Sequence, residues 1–312
     1  MNPILTLAIS LMILILGANL MIIGLKRLAS RFHLSNLFVG LTLAAVATSI
    51  PEIANSIFSA INGAGNVALG NIIGANINNL TYGIGILIFL TPVVLKEKML
   101  KTDAIFLVIA ILALFLAISD GMITPFEGLI LMVIYFVYVS QLLKAQKITK
   151  EKLILDAKKD THGLWTLIPL LLLGTGLVIV SSNLVVKSVV QTAEIIGLSE
   201  YLISLLMIAV ATTIPELTVT IVSYFRKATA IGVGNLVGSN IANPLFGLGL
   251  GAMFGGLRGE QGIILVDLLF LLFITLFFIF IAYSVKKTNR KHSYFFFAIY
   301  ILYLIWKLQA VL

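Results

Sequence analysis

Ala47-Thr48-Ser49-Ile50-Pro51-Glu52 recurs as Ala211-Thr212-Thr213-Ile214-Pro215-Glu216, and Gly70-Asn71-Ile72-Ile73-Gly74-Ala75-Asn76-Ile77-Asn78-Asn79 recurs as Gly234-Asn235-Leu236-Val237-Gly238-Ser239-Asn240-Ile241-Ala242-Asn243. Both pairs share one offset, 164 residues, without a gap. Each copy sets a carboxylate beside a proline inside an apolar run, where a charge is costly and is kept for handling an ion or substrate. Two such carboxylates at one offset point to one shared cation site.

The surrounding composition names the solvent. Of 312 residues, 60% are hydrophobic and 11% charged, too apolar for a soluble domain and in keeping with a polytopic membrane protein whose partner is the lipid bilayer. With no cysteine, disulfides and thiolate metal sites are ruled out. The net charge of +8 raises the question of nucleic acid. The basic residues, however, lie in short segments between apolar runs, where they encode membrane orientation instead. Met1-Asn2-Pro3 opens an apolar run to Gly24 that lacks the basic start of a secretory signal, so a retained first helix is expected.

About 20 apolar residues cross a hydrocarbon core. Ten candidate helices are expected, at 3–24, 35–61, 66–94, 102–119, 125–143, 164–186, 200–224, 229–255, 262–284 and 293–311. The Lys-rich stretch from Lys144 to His162 separates the two copies of the repeat. It divides the chain into a first half, 1–143, a cytoplasmic linker, 144–163, and a second half, 164–312, with the repeats near 35–90 and 199–254. Eighteen of the Lys and Arg residues fall in the odd-numbered loops, and only Lys187, Arg258 and Lys307 fall on the other side. Positive residues stay in the cytoplasm, which places both termini outside. Five crossings per half is an odd number, so the halves are expected to run in opposite directions, as in secondary transporters with a site at mid-membrane.

Proline lacks an N–H and crowds the carbonyl four residues earlier, so breaks are expected near Ala47 and Ala211, releasing backbone oxygens. Thr48, four residues before Glu52, is expected on the same helical face, and Ser49 three before it. Carboxylate, hydroxyls and loose carbonyls make a hard oxygen site of the kind that takes calcium or sodium, with no need of His or Cys. Glycines 70, 74, 234 and 238 are read as close-packing positions. Asn79 and Asn243 offer amide oxygens at equivalent places, and Ser239 offers a hydroxyl where the first half has Ala75. Asn76, Asn78 and Asn240 suit either ligation or hydrogen bonding between helices. Asp103, Glu127 and Asp267 fall near expected helix ends and receive no direct role.

At these residues the sequence resembles the calcium/cation antiporter superfamily, specifically prokaryotic sodium/calcium exchanger-like proteins, over essentially the whole chain. The resemblance implies an all-α fold of ten transmembrane helices in two inverted five-helix repeats, with the long first and sixth helices sliding across a core. It implies Glu52 and Glu216 as shared carboxylates, and Thr48 and Thr212 as threonines completing the calcium site. Ser49 and Ser239 become hydroxyl ligands of the inward sodium position, Thr213 stands where a serine serves the outward one, and the carbonyls of Ala45 and Ala209 face sodium. Three departures stand out: Ala75 replaces a serine, Asn243 stands where the best-known exchangers carry aspartate, and the glycine opening the motif is Ala47 and Ala211.

The expected activity is export of Ca2+ across the cytoplasmic membrane in exchange for Na+ by alternating access, and not an enzymatic one. No cofactor or protein partner is implied, and the ions are the cargo. A Ca2+/H+ antiporter using the same site is the alternative, and a passive cation channel a more distant one.

Overall fold

The computed structural model describes residues 3–93, 97–153, 164–196, 213–259, 261–285 and 287–309. Among them the chain is almost entirely helical: α1 (Pro3–Phe32), α2 (Asn36–Thr48), α3 (Ile50–Ile61), α4 (Gly65–Leu90), α5 (Glu97–Ala117), α6 (Pro125–Leu153), α7 (Leu164–Ile196), α8 (Ile214–Phe225), α9 (Thr229–Ala242), α10 (Leu248–Met253), α11 (Gln261–Ser284) and α12 (Arg290–Gln309). Four described segments are long and apolar enough to cross a membrane, Ala8–Phe32, Gly65–Leu90, Pro125–Ala145 and Ile264–Ser284, and α2 with α3 forms a fifth, bent by 45°. Large apolar side chains such as Leu116, Phe126, Leu172, Phe280 and Leu302 stand on the outside. In a lipid solvent this is the stable arrangement, because helices satisfy their own backbone groups and leave apolar side chains to meet the acyl chains.

Several helix ends follow from local chemistry. Ser35 caps α2, its hydroxyl accepting the Phe38 N–H at 3.1 Å. Thr124-Pro125-Phe126-Glu127 forms a capping box at the start of α6. The Glu127 carboxylate accepts the Thr124 N–H at 2.8 Å, and the Thr124 hydroxyl accepts the Glu127 N–H at 3.3 Å, with proline at the position where a missing N–H costs nothing.

Three features differ from the expectations. The first, fifth and sixth helices run on well past their apolar stretches. In particular α6 continues through residues 144–153, so the first part of the expected linker is helix, and residues 154–163 lie outside the described ones. Lysines tolerate a helical turn beyond the bilayer as well as they tolerate a loop. Asp103, expected near a water-facing end, is instead buried and accepts a hydrogen bond from the Tyr138 hydroxyl on α6 at 3.0 Å. Its repeat mate Asp267 pairs with Lys307 on α12 at 2.6 Å and accepts the Tyr303 hydroxyl at 3.1 Å. Finally, a two-residue strand β1 (Met122–Ile123) pairs antiparallel with β2 (Leu257–Arg258), joining loops far apart in sequence.

Small residues set the closest approaches. A Cβ on Gly17 of α1 would lie 2.8 Å from Leu177 Cβ, and one on Gly174 of α7 would lie 2.6 Å from Met21 N, so these two long helices cross in backbone contact. The packing role expected of the repeat glycines holds at Gly234 and Gly238, where a Cβ would meet Leu37 O at 2.7 Å and Leu41 O at 2.5 Å. Gly40 faces them, so α2 lies directly on α9. Gly70 meets no described atom within 4 Å.

A candidate cation site at two helix starts

The line through α2 and α3 breaks at Ser49, whose φ of −82° and ψ of 3° lie between helix and strand. Thr213, its repeat mate, has φ −84° and ψ −7° and precedes α8 in the same manner. The break therefore falls two residues after Ala47, which was expected to mark it. Pro51 and Pro215 sit in the first turn of the following helix, where the missing N–H has no partner to lose. Glu52 and Glu216 thus occupy the first turn of α3 and α8, at the positive end of each helix dipole.

Both carboxylates are buried and feel each other's charge. Among the described residues neither oxygen of Glu52 has a hydrogen-bond donor, nor does Oε2 of Glu216. An uncompensated buried carboxylate costs several kcal/mol, a cost that a bound cation or a proton would relieve. Around Glu216 the two halves interleave. The Ser49 hydroxyl lies 3.4 Å from Glu216 Oε1 and 3.2 Å from Ser239 Oγ, and Ser239 Oγ lies 3.5 Å from the Ala45 carbonyl. Four oxygens from three helices are gathered here.

The Thr48 hydroxyl donates to Asn235 Oδ1 at 3.1 Å and lies 3.3 Å from the Ala45 carbonyl. Asn235 in turn donates through Nδ2 to the Glu216 carbonyl at 3.3 Å, fixing a backbone oxygen beside the break. This asparagine received no role from the sequence, although the repeated Gly-Asn dipeptide signalled it.

Asn79 and Asn243 each open a five-residue π-helical turn, Asn79–Gly83 and Asn243–Gly247. Such turns widen a helix and concentrate at functional places. Both asparagines are fully buried. Both polar side-chain atoms of Asn79 and the Oδ1 of Asn243 have no hydrogen-bond partner among the described residues, while Asn243 Nδ2 donates to Asn76 Oδ1 at 3.1 Å. Among the asparagines left open, Asn76 and Asn240 hydrogen-bond to backbone carbonyls, and Asn78 Nδ2 donates to Thr213 Oγ1 at 3.2 Å. Thr212 and Ala209 lie outside the described residues.

Two buried carboxylates amid neutral oxygens form a ligand set for hard cations. Residues 2–144 and 166–309 match the sequence profile of the family described as sodium/calcium exchanger protein. The chain belongs to the sodium/calcium exchanger family. It is 28% identical over 296 residues to the uncharacterized membrane protein MJ0091 of Methanocaldococcus jannaschii, covering 94% of each chain. With the sodium/calcium exchanger MaX1 of Methanosarcina acetivorans it shares 26% over 291 residues, covering 80% of this chain and 82% of the relative. Among solved structures, that of the sodium-calcium exchanger NCX_Mj soaked with 100 mM Na+ and 10 mM Sr2+ superposes with a TM-score of 0.84 at 26% identity, covering 97% of this exchanger and 98% of the other chain. The resemblance read from the repeated motif is thereby borne out, and the exchanger belongs to a transporter family.

Proposed function

We propose that this exchanger exports Ca2+ from the cytoplasm against inward-moving Na+ and that Glu52 and Glu216 are the ligands both ions compete for. The carrying observation is the buried Glu52 carboxylate, which lies close enough to Glu216 to feel its charge and has no hydrogen-bond donor among the described residues. One Ca2+ or two Na+ would neutralise the pair. Ser49, Ser239 and the Ala45 carbonyl gather beside Glu216 as a monovalent position, Thr48, Thr212, Asn79 and Asn243 complete the calcium ligand set, and Thr213 and the Ala209 carbonyl mark the place equivalent to the monovalent position in the other half.

The scaffold for this activity is ten transmembrane helices in two inverted halves, 1–143 and 164–312, joined through 144–163. Contacts between loops support that sorting. Lys26 donates to the Arg226 carbonyl at 2.9 Å, and Arg290 to the Phe89 carbonyl at 3.2 Å, each joining two segments assigned to the cytoplasmic side. The β1–β2 pair joins two loops assigned to the other side, where both termini lie in the cell membrane protein. Because the carboxylates serve both ions, occupancy is exclusive and transport is coupled.

A second reading, Ca2+/H+ exchange at the same carboxylates, is favoured by the methyl group of Ala75 and the neutral amide of Asn243 where other ligands were expected. Calcium uptake into vesicles holding the full chain, driven by a sodium gradient or by a pH gradient with a protonophore present, separates the two. Sodium-driven uptake that survives the protonophore is expected, and uptake driven only by pH would replace sodium with protons.

A further inference from the structure

Within the second motif the 164-residue repeat exchanges a polar side chain for an apolar one at two buried positions, 75/239 and 78/242, and both fall on one sub-site. By the repeat offset, the cluster of Ser49, Ser239, Glu216 and the Ala45 carbonyl has as its counterparts Thr213, residue 75, Glu52 and, outside the described residues, Ala209. At residue 75 the hydroxyl of Ser239 is replaced by the methyl of Ala75, which is buried and supplies no oxygen. At residue 78 the counterpart of Ala242 is Asn78, whose Nδ2 donates to Thr213 Oγ1 at 3.2 Å. One substitution removes a ligand, and the other aims the positive end of an amide dipole at the remaining hydroxyl. Hard cations need oxygen donors there, and an N–H group in their place repels them.

We infer that this mate position holds no cation, so that the exchanger trades one Ca2+ for two monovalent cations and moves no net charge. The inference rests on the Na+/Ca2+ reading above and adds its charge balance. Two positions remain, the Ser49–Ser239 cluster and the space between Glu52 and Glu216, and two monovalent ions there cancel the two carboxylates. A third monovalent ion would have to sit against the Ala75 methyl and the Asn78 amide, leaving an uncompensated charge in a medium of low dielectric.

The test uses the purified full-length exchanger in lipid vesicles, with the membrane potential clamped by valinomycin and potassium gradients. The calcium ratio reached at a fixed sodium gradient is read at 0 and 100 mV. Charge-balanced exchange gives the same ratio at both potentials. One net charge per cycle shifts it about 50-fold per 100 mV, and that shift overturns the inference while leaving sodium/calcium exchange standing. Exchange driven by pH alone and indifferent to potential overturns the sodium reading but keeps the charge balance. No calcium flux under either gradient overturns both. Ala75→Ser combined with Asn78→Ala restores the repeat, and this variant is expected to become potential-dependent. Should it exchange sodium for calcium with the same indifference to potential as the parent, the two positions do not set the charge balance, and their assignment is wrong.

Discussion

Asn76 and Asn240 hold the same place in the two repeats yet bond in different directions. The Nδ2 of Asn76 reaches across to the Asn240 carbonyl at 3.0 Å, while the Nδ2 of Asn240 turns back to the Leu236 carbonyl of its own helix at 2.8 Å. Asn76 also accepts the Asn243 side chain at 3.1 Å, so it pins α4 to α9 and to the π-helical turn that follows it. Asn76→Ala strands a carbonyl and an amide in the protein interior, each costing about 1–3 kcal/mol. Asn240→Ala removes only a local bond worth about 1 kcal/mol. Thermal unfolding in detergent is expected to show the larger loss for Asn76→Ala, and equal losses would deny it the cross-helix role.

Glu52→Gln and Glu216→Gln each remove one of the two charges on which the cation site is proposed to rest. With a loss of about 3 kcal/mol per buried charge partner, calcium affinity is expected to fall about 100-fold or more in either variant. Titration calorimetry on the purified proteins reads this directly. Retention of parental affinity in either one removes that residue from the site.

Gly238→Ala tests the contact between α2 and α9. The added methyl would come 2.5 Å from the Leu41 carbonyl, on backbone that has little room to yield, for an expected destabilisation of about 1–3 kcal/mol. Gly70→Ala, with no described atom within 4 Å, is expected to change the melting temperature far less. The reverse order would mean that the backbone contact is not the constraint.

Lys307→Met leaves Asp267 without its counter-charge in a largely buried setting, a loss of about 3–5 kcal/mol for a broken buried pair. Adding Asp267→Asn removes the stranded charge. The double variant is therefore expected to be more stable than the Lys307 single variant, a coupling that a double-mutant cycle measures. Strict additivity would mean that the pair contributes nothing.

The repeated Pro-Glu motif carried most of what could be read in advance. With the repeated Gly-Asn motif it placed the break between α2 and α3, two buried carboxylates and the glycines at which α2 meets α9, because proline and glycine act locally and a buried charge has few explanations. The bond from Thr48 to Asn235 was not legible, because the two residues lie in different halves and no interval along the sequence marks their contact. The π-helical turns at Asn79 and Asn243 carry no residue signature, since one extra residue per turn is a property of packing and not of composition. The two-residue strands are too short for any period. Asp103 and Tyr138 meet only because α5 and α6 pack, and no spacing along the chain announces it.

The pairing of Met122–Ile123 with Leu257–Arg258 also bears on biogenesis. The two strands are separated by more than a hundred residues of chain, so the ribosome must deliver most of the polypeptide before the clasp can close. The amino-terminal half therefore waits in the translocation machinery or the nearby lipid as an unfinished partner, and truncation before Leu257 leaves it without that closure.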